Sequence, residues 1–398
     1  MTALLRLKPK ADKRIKGGHC WVYSNEVDIA QTPLKTLTPG QQVVVESASG
    51  QTLGVALVSP QQLICARLFS RDAGQVLDRS WLVHRLNVAL SSRELWYPHQ
   101  CYRWVYGDSD ALPGLVIDRF GDVVVIQISS EGMELMRDDI VAAVDQVAKP
   151  SAIVLKNDGK LRASLGLDEY VTVVKGELQD NCAPLIENDT RFMAPVIEGQ
   201  KTGWFYDHRD NRARLNGLVA GKRVLDVFSY IGGWGVQAAR HGAAEVHCVD
   251  ASARALDWVE QNAALNDVSD QLHCWQGDAF EALKQLRDEG ERFDIVVVDP
   301  PALIPRRKDI KAGEQAYRRL NQLAMRLLQK DGMLVSGSCS MNLGEDRLPD
   351  LLRLVGRELD REVLLQHIGS QGADHPVLPA VPETRYLKAV FARVLPTR

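Results

Sequence analysis

The chain has 398 residues, 25% of them charged and 45% hydrophobic, with a formal net charge of −3. That length exceeds what one ordinary core fills and calls for two or three domains. A charge so near balance excludes a global pull towards nucleic acid and leaves only local patches to provide one. No stretch approaches the roughly 18 uninterrupted apolar residues of a membrane span, so the expected location is cytoplasmic, with no membrane partner. Seven cysteines (Cys20, Cys65, Cys101, Cys182, Cys248, Cys274 and Cys339) lack any CxxC spacing, which argues against a disulfide framework and a zinc site.

Residues 1–74 carry short β-type runs, QQVVVES, TLGVALVS and LICARLF, separated by Pro, Gly and Ser. They predict a small β-rich domain. Between 1 and 20, six cations including Lys8, Lys10 and Arg14 face Asp12 alone. A helix over VLDRSWLVHRLNVALSSRELW follows, then strands CYRWVYG, GLVIDRF and DVVVIQIS, a helix near 133–148, and strands AIVLKND and VTVVKG. This is an α+β unit over 75–187. From 188 to 398 strands RVLDVFS, EVHCVDA, DIVVVDP and GMLVSGS alternate with amphipathic helices, the pattern of an α/β, doubly wound parallel sheet. A second basic patch spans 301–330, where Arg306, Arg307, Lys308, Lys311, Arg318, Arg319, Arg326 and Lys330 outnumber Asp309 and Glu314.

VLDVFSYIGGWG, 224–235, reads as a strand, a glycine turn and a helix start, so Phe228, Ser229, Tyr230, Gly232 and Gly233 are candidates to touch a ligand at the sheet edge. The spacing is not GxGxxG. Asp226 leads into the turn; it would repel a phosphate and suit an ammonium. Asp250, followed by Ala251, ends the second strand where ribose hydroxyls would sit. Asp278, followed by Ala279, ends the third, suited to an adenine amino group. An acid-lined site for a cationic adenosine ligand without phosphate fits S-adenosylmethionine, and the constellation resembles the class I methyltransferases; a Rossmann-like oxidoreductase with an unusual loop is the alternative.

The fourth strand ends in Asp299-Pro300-Pro301 and the next in SGSCSMN, which brings Asp299 and Cys339 to one sheet edge. Carbon 5 of a pyrimidine is a poor nucleophile until a thiolate adds at carbon 6. Cys339 is the candidate for that role against a buried structural thiol, in a site expected to favour the thiolate. Asp299, protonated or sharing a proton, is expected to hydrogen-bond the ring at N3 and its amino group. No base for the carbon-5 proton is evident.

GGHCWVYSNEV, GDSDALPGLVIDRFGD, GQKTGWFYDHRDNR, VLDVFSYIGGWG, VDPPALI, SGSCS and ADHPVLP together resemble the ribosomal RNA large subunit methyltransferase I family, cytosine-C5 enzymes of 23S rRNA, over nearly the whole chain. The resemblance implies an N-terminal PUA domain, a small central α+β domain and a C-terminal Rossmann-like class I methyltransferase domain. It implies that TGWFYDHR closes over the cofactor with Tyr206, Asp207 and Arg209 near its methionine end; from the residues alone, Asp207 reads as a helix cap. It also implies 23S rRNA as partner. The basic N-terminal segment, with Lys8, Lys10 and Arg14, is expected to hold RNA phosphates; Pro300, Pro301 and His375 are further candidate substrate contacts, and a homodimer is left open. Cys20 and Ala302 stand where relatives of this pattern carry proline and lysine. A guanine or adenine rRNA methyltransferase, a uridine-C5 enzyme and a non-catalytic RNA-binding assembly factor remain as rival readings.

Overall fold

The structure is a computed structural model that describes residues 3–397, and its chain groups into two compact units. The first takes Met1–Leu185, Ala194–Tyr206 and Ala373–Thr384; the second takes Ile186–Met193, Asp207–Gly372 and Arg385–Arg398.

The first unit contains two five-stranded sheets. One is built from β1 (Ala3–Arg6), β2 (Trp21–Tyr23), β3 (Gln42–Glu46), β4 (Thr52–Val58) and β5 (Ile64–Ser70) in the order β1-β3-β4-β5-β2. Alternation in β3 turns Val43 and Val45 into a core with Leu5, Ile15, Val22 and Cys65, as the period of two requires. The other sheet uses β6 (Cys101–Tyr106), β7 (Leu115–Phe120), β8 (Val123–Ile128), β9 (Ala152–Asn157) and β10 (Tyr170–Lys175), ordered β10-β9-β8-β7-β6. Helices Arg79–Glu94 and Arg137–Ala148 contribute Leu82, Leu86, Ile140 and Val144 to its core. The helix expected near 133–148 breaks at Met136 into Glu131–Leu135 and Arg137–Ala148.

Segments 194–206 and 373–384 lie beyond the expected boundary at 187, yet belong to the first unit because buried polar bonds tie them there. Thr202 Oγ1 donates to Asp118 Oδ2 at 2.5 Å. Arg93 forms a two-pronged ion pair with Asp110, 2.7 Å on each arm, and donates to the Asp374 carbonyl at 2.9 Å.

The chain crosses between the units in the hairpin β11 (Ala183–Glu187) and β12 (Thr190–Ala194). The second unit is organised on a seven-stranded sheet of β13 (Arg223–Val227), β14 (Glu245–Asp250), β15 (Leu272–Gln276), β16 (Phe293–Val298), β17 (Leu328–Ser338), β18 (Arg361–Gly369) and β19 (Lys388–Pro396), in the order β15-β14-β13-β16-β17-β19-β18. β13 to β17 are mutually parallel, and β19 runs antiparallel between β17 and β18. The central strands are apolar on both faces, with Val224, Leu225, Val227 and Val296 to Val298 fully buried, because helices cover both sides. Helix Arg347–Glu358 illustrates the covering stripe, presenting Leu348, Leu351, Leu352 and Val355 inward. Strand order reverses at β13, so the carboxyl ends of β13, β14 and β16 frame the crevice where open α/β sheets take ligands.

Arg93 and Asp110 are both almost fully buried. Arg93→Met should therefore cost the first unit about 3–5 kcal/mol by removing the cation that compensates the buried Asp110, which would keep only the Tyr106 N–H. Urea unfolding followed by circular dichroism checks this; a loss below 1 kcal/mol would show that Asp110 finds other partners.

Candidate active site

The glycine turn after β13 is built around Asp226. Its side chain is fully buried, Oδ2 accepts the Gly235 N–H at 2.9 Å, and Oδ1 has no partner. Gly235 is required there: a Cβ would come within 2.5 Å of Cys248 Sγ and 3.2 Å of Asp226 Oδ2. Gly232 has φ +87°, and Phe228 and Tyr230 also adopt positive φ, 67° and 50°. Non-glycine residues in that region store strain, a common feature of ligand-binding turns. Ser229 Oγ is buried beside them without a partner. Burial pushes the Asp226 carboxyl up to about 7, Gly235 N–H opposing and the charges of Asp299 and Asp250 adding.

Asp250 organises the same turn, accepting Tyr230 N–H at Oδ2 and Ser252 N–H at Oδ1, each at 2.9 Å. Ala251 is exposed beyond it. Asp278 caps helix Ala279–Asp288, its Oδ1 taking Phe280 N–H at 2.9 Å, with Ala279 buried behind.

Two strands away, β17 ends in serines that face inward. Ser338 and Ser340 are buried, and both hydroxyls meet Tyr317 Oη, at 2.8 and 2.9 Å. Alternation then turns Cys339 the other way, half-buried, its Sγ 3.9 Å from the Pro300 carbonyl. Only glycine at 337 lets the strand end run beside Asp299, since a Cβ there would lie 2.9 Å from Asp299 Oδ1. Lys388, opposite Ser338 on β19, reaches the carbonyls of Ser340 and Leu343 at 2.7 and 2.8 Å and fixes the turn after Cys339. Pro300 is buried and Pro301 exposed.

Ionisation departs from expectation in two places. Burial, reinforced by Asp299 and Asp207, pushes the Cys339 thiol up to about 12, Lys388 opposing; the expected bias towards thiolate is absent from the protein alone because burial, with the acids added, outweighs the nearby cation. Burial also brings Lys388 down to about 8. Asp299, expected to carry a proton, is instead held below the usual carboxylate range: burial works against this, but the His208 imidazole, 3.1 Å from Oδ1, and Trp234 Nε1, 3.1 Å from Oδ2, outweigh it. Sequence reasoning passed over both His208, inside the TGWFYDHR stretch, and Lys388, which carries no local signal.

Other predicted residues are placed differently. Asp207 does not cap the helix Arg209–Asn216, whose N-cap is His208; its Oδ2 accepts the Tyr386 hydroxyl at 2.5 Å and its Oδ1 is buried without a partner. Arg209 lies 3.7 Å from Glu187. Tyr206 belongs to the first unit, buried, its hydroxyl on the Arg119 carbonyl. His375 is 2% exposed, its Nδ1 on Asp374 at 2.8 Å, and so offers RNA no open edge in this conformation. The N-terminal basic patch is partly neutralised. Arg14 grips Glu26 at 2.7 and 2.8 Å, and Arg6 meets Glu46 at 2.6 Å, acids a 20-residue window cannot see. Lys8 donates to the Asn25 carbonyl, and Lys10 is exposed.

Glu245, His247 and His273 converge within metal-binding reach, against the expectation of no metal cluster, which rested on cysteine spacing. Their atoms are already engaged: His247 Nδ1 accepts Trp275 Nε1–H, which leaves the ring proton on Nε2 facing Glu245, itself gripped by Arg223.

Residues 5–71 match the model of the PUA-like domain, and 158–393 that of the S-adenosylmethionine-dependent methyltransferases. The ribosomal RNA large subunit methyltransferase I of Erwinia tasmaniensis is 35% identical over 99% of this chain and 100% of its own. The chain belongs to the ribosomal RNA large subunit methyltransferase I family. A Streptococcus mutans protein described as a SAM-dependent methyltransferase superposes with a TM-score of 0.84 at 22% identity, covering 98% of this chain and 100% of its own. A chain described as a methyltransferase complexed with SAH gives the same score and identity over 99% and 100%. Among the described residues no helix is long and apolar enough to cross a membrane.

The methyltransferase's own residues fit S-adenosylmethionine. The unpartnered Asp226 Oδ1 and Ser229 Oγ are buried polar atoms awaiting a donor or acceptor, and a carboxyl at about 7 is poised to ionise against a cation. Ionising Asp226 destabilises the ligand-free protein as pH climbs from the ordinary 3.8 through about 7. A cationic ligand needs that same ionised form. Calorimetric affinity for S-adenosylmethionine should therefore rise between pH 5 and 7 by at most about tenfold per unit and level off above, with the slope lost in Asp226→Asn. An equally steep slope in that variant would place the titrating group elsewhere.

Proposed function

We propose that this methyltransferase modifies carbon 5 of a cytosine in 23S ribosomal RNA through a transient bond between Cys339 Sγ and carbon 6. The observation that carries the reading is the placement of one half-exposed thiol beside Asp299, held outward by inward-facing Ser338 and Ser340. The names of the full-length relatives support large-subunit rRNA as the substrate.

The residues divide the work as follows. Tyr317 and Lys388 fix the cysteine turn, so the sulfur is pre-positioned rather than ordered on binding. Asp299, ionised, accepts an N–H from the cytosine amino group. Bound S-adenosylmethionine supplies an electrophilic methyl group and a positive charge to a pocket whose own acids keep the thiol neutral. As Sγ bonds to carbon 6, the carbon 5–6 electron pair moves towards carbon 4 and N3, and the thiol proton passes through solvent to N3, leaving a neutral adduct whose carbon 5 is nucleophilic. After carbon 5 is methylated, its proton passes to solvent, its bonding pair re-forms the carbon 5–6 double bond, and Sγ is expelled and regains the proton held at N3. The target base must be unpaired or flipped out, at a cost of a few kcal/mol. Phosphates flanking it are gripped by Arg307, Lys308 and Lys311, which are exposed on a segment pinned to the cysteine turn by Ser340 Oγ and Asn342 on Ile304.

Incubation with rRNA and labelled S-adenosylmethionine, followed by digestion, should yield 5-methylcytidine, and Cys339→Ala should lower the rate by on the order of 10³-fold or more. A methylated purine, or wild-type rate in the variant, removes the covalent reading; 5-methyluridine keeps the thiol and changes the base.

A further inference from the structure

His208 is 3% exposed, and its imidazole meets two side chains. Nε2 stands 3.1 Å from Asp299 Oδ1, and Nδ1 lies 3.1 Å from the Asn211 amide nitrogen, which also donates to the Ser370 carbonyl at 3.0 Å. An amide that donates to Nδ1 needs a lone pair there, so the ring proton sits on Nε2, on the Asp299 side. Trp234 adds a second donor, Nε1 to Asp299 Oδ2 at 3.1 Å, and its ring lies 5.2 Å from that of His208. Trp234 is thus hydrogen-bonded to this carboxylate, while the His208 ring nitrogen stands in ion-pair contact with it, off hydrogen-bond alignment.

The charges around the pair come from every side. Asp207 precedes His208 in the chain; Arg212, one turn on, is held by Glu187 of β11 at 2.6 and 3.1 Å. Asp226 lies at the end of β13, Cys339 follows β17, and Lys388 opens β19. Burial opposes charge on His208, as does Arg212, but Asp299 and Asp207 outweigh them and hold the imidazole above its ordinary value.

We propose that His208 is a positioning residue that keeps Asp299 ionised and acceptor-only, so that this carboxylate receives an N–H from the target base instead of donating to it. The inference rests on Asp299 as the base-contacting acid of the proposed reaction, and extends it by naming what sets that acid's state. An isolated carboxyl in this half-closed edge would gain a proton as burial raised it. The Trp234 N–H bond and the His208 ring 3.1 Å away oppose that.

The test is the pH profile of the methylation rate at saturating S-adenosylmethionine for His208→Leu, which removes the donor, and His208→Gln, whose amide N–H can replace it. In His208→Leu the acid limb should move up by at least one pH unit, with a loss of more than tenfold at pH 6 that is largely recovered at pH 8. His208→Gln should return the limb to near its wild-type position. Trp234→Phe, which deletes the other donor, should shift it in the same direction as His208→Leu. An unshifted limb in both donor-deleting variants, or a His208→Gln profile as displaced as that of His208→Leu, overturns the proposal. Cys339→Ala run alongside reports separately on the covalent reading: full activity there overturns that reading, whereas unshifted His208 and Trp234 profiles overturn only the role of His208.

Discussion

Carboxylates gathered at the ends of neighbouring parallel strands repel one another, and the chemistry of this sheet edge depends on how that repulsion is relieved. Asp226, Asp250 and Asp299 end or follow three adjacent strands, β13, β14 and β16. Each is relieved differently. Asp250 is satisfied by backbone N–H groups and Asp299 by the Trp234 N–H and the close His208 imidazole, while Asp226, fully buried with one free oxygen, is left to hold a proton near neutrality. The edge is therefore incomplete without a cation, and the family's cofactor is one.

The same constraint governs the cysteine. Placed among acids, the Cys339 thiol stays protonated in the protein alone. Lys388 is the near cation, yet burial weakens its hold on its own proton and its ammonium is committed to two carbonyls. In the proposed reaction, reactivity is tied to occupancy: the sulfur would act as a nucleophile only when cationic and base ligands share the pocket.

Much of this was legible in the chain. The alternation of β-type runs and helices from 188 onwards gave the parallel sheet, and Asp226, Asp299 and Cys339 were readable because acids and a lone cysteine at strand ends share one edge. β18 and β19 escaped notice: the burial of β18 does not alternate, and β19 is an antiparallel insertion that no local pattern announces. His208 was hidden by its neighbours, since only the fold shows that it faces Asp299. Charge was the least legible quantity. The N-terminal patch looked strongly basic in a 20-residue window, but Glu26 and Glu46 cancel much of it once the chain is folded. Protonation states followed the same rule, for they depend on partners distant in sequence.

The central claim is that Cys339 bonds covalently to the target base. Its most direct measurement uses an rRNA fragment carrying 5-fluorocytidine at the modified position, where fluorine cannot leave as a proton does and the adduct is trapped after methyl transfer. Denaturing electrophoresis and peptide mass spectrometry should then show protein joined to RNA through the peptide containing Cys339, dependent on S-adenosylmethionine and absent in Cys339→Ala. Absence of any adduct alongside active methylation of the unmodified fragment, or a link through another of the seven cysteines, would contradict the account.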